Sequence, residues 1–373
     1  MNKLMSVMGT GGFKIFLLLV LVLFFLIPTA MIRGLIHERS QRAEEAERTI
    51  MEAWGDTFTA QGPVLRIPCI ERQEIRNRNE KGIEQLEIRE RPFSFWITPE
   101  WLDVDIRLGT EIKKRGIFSV PLFSGTVRLS GAFDPGKVLG ELKDSETAFP
   151  AEGELIIALA GQRGIRGVEK ADWDGGPIRF LPGNRGFPYK GGEAGIYGKT
   201  PAEAGRKYAF DITLSVQGGK SLLMVPLGED SSFSVAADWP SPSFRGAYLP
   251  LTKNLHERGF EARWEISHLS RNIPLSWAGY DEAGSELSSA LFGVDFFKAL
   301  DHYDVNTRAV KYALLFIIIP FLSLFLFEMV SRRNIHPVQY LLSGVGNIVF
   351  YLLLLSFSEH LPFLPAYWIS ALA

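Results

Sequence analysis

The sequence predicts a membrane protein in which α-helical transmembrane segments carry a large, mainly-β domain of antiparallel, sandwich-like build. Three observations lead there. Two long apolar runs, residues 312–327 and 338–358, flank a short basic turn late in the chain. A third apolar run, residues 15–32, stands near the start. Between them the hydrophobic period shifts from 3.6 to 2, in short stretches bounded by Gly, Pro, Asp or Asn.

The late hairpin fixes the frame. As a helix the second run is about 31 Å long, enough to cross a hydrocarbon layer of roughly 30 Å. The first gives about 24 Å without a charge, and Lys311 and Glu328 can snorkel at its ends to complete the span. Spans are expected at 309–330 and 338–358, joined by a loop at 331–337 that carries Arg332, Arg333 and His336. Excess Lys and Arg in a short loop marks the cytoplasmic side, so these three residues set the topology. What lies between this hairpin and the preceding span is then exported.

The chain opens with a short polar segment, residues 1–14, expected in the cytoplasm. Residues 15–32 follow as an uncleaved anchor; the apolar core exceeds that of a signal peptide, and Pro28-Thr29-Ala30 is a weak cleavage site. Arg33, Arg39 and Arg42 do not reverse the orientation, because a long following domain is translocated largely regardless of such charges. The exported domain is placed at 33–308. Residues 33–55, rich in Glu, Arg and Ala, read as a helical stalk with a solvated charged face. Residues 62–277 are β-rich. Gly62 to Pro68 looks like an edge strand, where proline is tolerated. Eight further strands are expected, at 93–97, 104–108, 116–122, 126–133, 154–159, 208–216, 221–225 and 232–237. Residues 174–202 read as a long surface loop, and 282–300 as a helix returning the chain to the membrane. A fourth apolar run, 362–373, spans only about 18 Å as a helix and reads as the start of a truncated segment.

The chain has 373 residues and a formal net charge of −2, which implies no polycationic nucleic-acid surface. Cys69 is the single cysteine, so no internal disulfide can form and the exported domain depends on its core. No motif for a catalytic site, a cofactor or a metal occurs. Gly219-Lys220-Ser221 and Gly198-Lys199-Thr200 imitate the end of a phosphate loop, but Leu214 and Glu193 stand where its first Gly belongs. Asp172-Trp173-Asp174-Gly175 is half of a calcium loop and reads as a turn. Gln339, Asn347, Gly344 and Gly346 suit close packing of membrane helices. From Trp239 to Gly246 two prolines hold an extended segment. There Trp239 is expected in the core, with Phe244 and Arg245 at the surface as the candidate partner contact.

Several motifs together resemble the CreD inner-membrane protein family. They are His336-Pro337-x-Gln339-Tyr340-Leu341-Leu342-x-Gly344, Ser358-Glu359-His360, Trp239-Pro240-x-Pro242-Ser243-Phe244-x-Gly246 and Arg163-Gly164-Ile165-x-Gly167-Val168. The resemblance covers essentially the whole chain. It implies a multi-pass protein of the cell inner membrane, with a periplasmic domain, linked to envelope integrity and to a two-component stress regulon. It supplies no catalytic residues. Two functions stay open. One is a non-enzymatic protein whose periplasmic domain contacts a wall, lipid or protein partner. The other is an envelope enzyme or carrier acting on a lipid-linked or saccharide substrate. The second needs converging carboxylates, for which Asp172, Asp174, Asp211, Glu229 and Asp230 are available; the first does not.

Topology is directly testable. A cysteine introduced at Ser232 should be labelled by an impermeant thiol reagent in intact spheroplasts, and one at Asn334 should not. The reverse pattern would overturn the orientation.

Overall fold

The computed structural model describes residues 11–55, 57–78, 84–116, 118–136, 147–148, 151–159, 162–188, 194–203, 205–279, 284–296, 302–331 and 333–373. The chain divides into two compact units, one of residues 48–113 and 119–297, the other of 1–47, 114–118 and 298–373.

The first unit is built on strands. In chain order they are β1 (Phe58–Arg78), β2 (Glu84–Ile97), β3 (Trp101–Arg115), β4 (Phe118–Phe133), β5 (Thr147–Ala148) and β6 (Glu152–Leu159). Then come β7 (Ile165–Trp173), β8 (Gly176–Pro177), β9 (Phe180–Pro182), β10 (Ala194–Pro201), β11 (Tyr208–Gly218) and β12 (Ser221–Met224). The last six are β13 (Asp230–Ala237), β14 (Pro242–Gly246), β15 (Thr252–His256), β16 (Gly259–Ser267), β17 (Ser276–Ala278) and β18 (Phe292–Phe296). One sheet runs β14-β18-β12-β1-β6-β10-β9, with β2 and β5 also paired to β1 and β17 to β2. The other runs β15-β16-β13-β3-β4-β11-β7-β8. Most described pairings are antiparallel; β1 with β12 and β3 with β13 are parallel.

The two sheets close face to face over one core. Phe292 and Phe296 of β18 meet Phe233, Trp264, Phe123 and Phe260 of the opposite sheet, with ring centroids 4.9–6.4 Å apart. Such aromatic pairs add to simple area burial. In the second sheet β3, β11, β13 and β16 alternate between buried and more exposed positions. On β16, for instance, Phe260, Ala262, Trp264 and Ile266 are buried while Glu261, Arg263 and Glu265 are exposed.

Three expectations are corrected here. The segment from Gly62 to Pro68 is not an edge: β1 lies inside its sheet, paired with β6 on one side and with β12 and then β2 on the other. A bulge between Gln61 and Val64 absorbs the Gly62-Pro63 step. Gly62 has φ +126, and a Cβ there would fall 2.8 Å from the Ile156 carbonyl oxygen. Residues 174–202 are not one long loop; they contribute β8, β9 and β10, and Phe187 is buried against Trp96. Within 282–300 the described residues, 284–296, hold the short helix α2 (Gly284–Ser289) and then the wholly buried strand β18. The Asp172–Gly175 turn is as expected. Asp174 and Gly175 both have positive φ and form a two-residue hairpin turn between β7 and β8. Cys69 is 1% exposed, and burial pushes its thiol up to about 11, which makes it unreactive.

Helix α1 (Gly11–Trp54) is continuous through both the apolar run and the charged stretch, and Gly55 at φ +120 ends it. The other helices are α3 (His302–Lys311), α4 (Ala313–Ser331), α5 (Pro337–Ser358) and α6 (Phe363–Leu372). Helix α3 stands where the chain re-enters the helical unit. Among the described residues, three helices are long and apolar enough to cross a membrane, within Lys14–Trp54, Asp304–Ser331 and Pro337–Ser358.

Inside this unit Phe25 of α1 meets Phe321 of α4, which in turn meets Tyr340 of α5. Gly344 makes room for the Phe25 ring: a Cβ there would lie 2.1 Å from it. The Asn347 amide donates to the Phe316 carbonyl at 2.8 Å. A Cβ built on Gly346 would meet nothing within 4 Å, so close approach does not require a glycine there. Glu328 does not snorkel. It is 8% exposed and accepts from Lys14 of α1 and, at 3.4 Å, from the Tyr340 hydroxyl of α5. One carboxylate thus ties three helices together.

Removing one member of a buried ion pair strands the other. Glu328→Ala should lower the stability of the detergent-solubilised protein by about 3 kcal/mol. The exchange Lys14→Glu with Glu328→Lys should recover most of that loss in the same unfolding measurement. If the exchange is as unstable as the single variant, the pair contributes no specific attraction.

Candidate functional site

The outer face of the eight-stranded sheet carries a lane. Alternation on β3 turns Trp101, Asp103, Asp105 and Arg107 outward, and on β16 it turns out Glu261, Arg263 and Glu265. Between them β13 presents Ser232, Ser234 and Ala236, after Asp230 opposite Trp101 at its start. The registers align these residues in rows: Asp103, Ser232 and Glu265; Asp105, Ser234 and Arg263; Arg107, Ala236 and Glu261. A floor of small side chains between two charged walls leaves a groove of about 800 Å³, and Asn254 and His256 of β15 also line it.

The walls are partly self-neutralised. Arg107 pairs with Asp105 at 3.1 Å, and Arg263 with Glu265 at 3.0 Å. Asp103 accepts from the Ser232 hydroxyl. Asp238, at the end of the lane, accepts from the Thr110 amide at 2.5 Å. On the same sheet Asp211 takes a bidentate contact from Arg128, both at 3.0 Å, and another from Lys170 at 2.5 Å. The Arg128 hydrogen bonds are the largest effect; with the Lys170 hydrogen bond and the charges of both cations they outweigh burial, which ranks second and opposes them, and hold the carboxyl down at about 2.

The residues singled out from sequence fall elsewhere. Trp239 is buried, its indole N–H donating to the Ser241 carbonyl at 3.1 Å, as expected of a core anchor. The stretch after it is the edge strand β14 rather than a loop. Phe244 is half-buried and turns edge-on to Phe260 and Trp264, so it faces the core more than solvent. Strand alternation explains this: Phe244 and its neighbour Arg245 must point to opposite faces. Arg245 is exposed and reaches Asp295 at 3.2 Å. Asp295 is 6% exposed and also accepts from Ser221 at 2.6 Å.

The five carboxylates considered for catalysis do not gather in the groove. Asp172 stands opposite Asp211 in register, Asp174 sits in the hairpin turn beside Arg206, and Glu229 and Asp230 lead into β13. In the basic turn Arg333 is exposed, and the His336 ring accepts from the Val338 amide at 3.3 Å as the N-cap of α5, with Pro337 in the first turn. Arg332 lies outside the described residues.

Sequence reasoning misses the lane. Its signal is three successive small outward residues on β13, Ser232, Ser234 and Ala236 after the exposed Asp230, set between alternating strands whose outward residues are charged.

Arg245 has a structural duty that its exposure conceals. Arg245→Ala leaves a buried carboxylate with one hydroxyl donor. It should cost about 1 kcal/mol, discounted for the exposed half of the guanidinium, and lower the melting temperature by about 2–4 °C. The sequence alone predicts a change of no more than about a degree or two. An unchanged melt would show that the Asp295 pair contributes nothing to stability.

A family model described as "Inner membrane protein CreD" matches residues 11–373. The Escherichia coli K12 protein of the same description is 32% identical over 354 residues, which span 94% of this chain and 76% of that protein. Among solved structures, an M1 zinc metallopeptidase from Deinococcus radiodurans aligns with a TM-score of 0.27 at 12% identity, over 49% of this chain and 42% of the enzyme. A likeness that slight bears on neither fold nor activity. The match along nearly the whole chain does: this chain belongs to the CreD family of inner membrane proteins.

Proposed function

We propose that this CreD-family protein supports cell-envelope integrity without catalysing a reaction, by holding an envelope partner against the outer face of its eight-stranded sheet. The lane is the observation that carries this reading. It is a recessed groove rich in hydrogen-bonding groups, and its lining residues include no carboxylate pair arranged for acid–base work. The charged basic turn supports an orientation in which residues 331–337 face the cytoplasm and the β domain faces the periplasm. Membrane spans at 15–32, 309–330 and 338–358 belong to the same proposal. So does the exposed half of Arg245 on β14, as a separate contact on the other sheet.

Blocking the lane without changing its charge tests this. Ser234→Trp places a large side chain on the floor, at an outward strand position where Trp is well tolerated. In a deletion strain the full-length variant should reach the membrane at the normal level yet fail to restore the envelope phenotype. Full restoration would move the contact surface elsewhere.

A further inference from the structure

We infer that the occupant of the lane is a basic polypeptide segment in extended form, which lays Lys or Arg side chains against the carboxylates of the two walls. This rests on the outer face being the contact surface. The first argument is charge. Asp105, Asp238 and Glu261 line the groove with Arg107 and Arg263, and Asp103 and Glu265 stand one row beyond it on the same walls, five carboxylates in all against two guanidiniums. Both guanidiniums are already engaged by Asp105 and Glu265. Among the described residues no cation forms a salt bridge with Asp103, Asp238 or Glu261, and the Arg128 guanidinium on β4, which acts on Asp103 and Asp105 through its charge, is itself held by Asp211. An anionic occupant, such as a lipid phosphate or an acidic glycan, meets like charge. A neutral saccharide would desolvate these carboxylates and supply no counter-charge. A cation answers them.

The second argument is shape. The walls stand two strand spacings apart, about 10 Å, which is the width that one extended chain fills when laid on a sheet. Ser232 to Ala236 runs about 14 Å, room for roughly four residues of such a chain. Its side chains would alternate, some over the small floor and some toward the walls. At the head of the β3 wall Trp101 is 45% exposed and offers its ring to a Lys or Arg.

The test uses the full-length protein in nanodiscs of neutral phosphatidylcholine, so that lipid charge does not capture the probe. Three probes are titrated: an alternating Ala-Lys octapeptide, an alternating Ala-Glu octapeptide and a neutral N-acetylglucosamine tetramer. The Ala-Lys peptide should bind, with an affinity that falls as salt rises. Binding should weaken by about tenfold or more in Ser234→Trp, which keeps every charge, and in Glu261→Lys. The other two probes should not bind. Equal binding of the Ala-Lys peptide to Ser234→Trp would reduce the effect to general surface attraction and overturn the inference. Binding of the saccharide in place of the peptide, or of no probe, would overturn it too. The two readings fail separately. If Ser234→Trp loses complementation while the Ala-Lys peptide does not bind, the contact surface stands and the class of occupant falls. If Ser234→Trp complements fully, the contact surface itself falls.

Discussion

The β domain depends on an aromatic seam between its two sheets. Phe292 and Phe296 sit on a five-residue strand that is buried throughout, and the rings of Phe123, Phe233, Phe260, Trp239, Tyr248 and Trp264 gather on them from other elements. That seam fixes which face of every strand in the second sheet is inward. With the inward set decided, the outward set follows by alternation, and a slip of one residue would put Glu261, Arg263 and Glu265 in the core. The lane is therefore a consequence of the seam. Its rows of Asp103, Ser232 and Glu265 exist because Val104, Phe233 and Trp264 are committed to the interior.

The helical unit solves a different problem with different means. In hydrocarbon there is little hydrophobic force between helices, so they must meet through close fit and polar contacts. Gly344 under the Phe25 ring supplies the fit. The Asn347–Phe316 and Lys14–Glu328–Tyr340 contacts supply the polar part. A second buried contact, Asn306 Nδ2 to Ser358 Oγ at 2.6 Å, links α3 to the end of α5. Each of these joins residues far apart in sequence, which is why Glu328 looks like a span-end residue until its partners are seen.

Much of this was legible from the chain. Apolar length alone places the three long helices, and period-two alternation locates β3, β11 and β13. The limits have physical causes. Strand β18 is buried along its whole length, so it has no alternation to read and resembles a short apolar helix segment, whereas β12, equally buried, is expected at 221–225 from its apolar run. Strand β1 carries two prolines, which suggest an edge; only its bulge reveals how an inner strand accommodates Pro63. The parallel pairs β1–β12 and β3–β13 join segments more than a hundred residues apart, and nothing local encodes them. Strand β16 alternates completely yet is not among the strands expected from the sequence, and its meaning as one wall of a groove depends on which strand lies beside it.

That dependence also explains why the lane reads as more than an ordinary polar surface. Outward positions on a strand inside a sheet favour β-branched or aromatic residues, which cover their neighbours; small residues there forgo up to about 1 kcal/mol of strand preference each. On β13 Phe233 and Val235 fill the middle of the inward face, while after Asp230 the outward positions are Ser232, Ser234 and Ala236. Arg107 and Arg263 turn to carboxylates on their own strands instead of crossing the floor. Local preference is set aside at three successive outward positions, and of the three Ser232 recovers a contact, its hydroxyl donating to Asp103. Where a chain departs from its local rules without a compensating contact of its own, the missing contact is to be sought in another molecule.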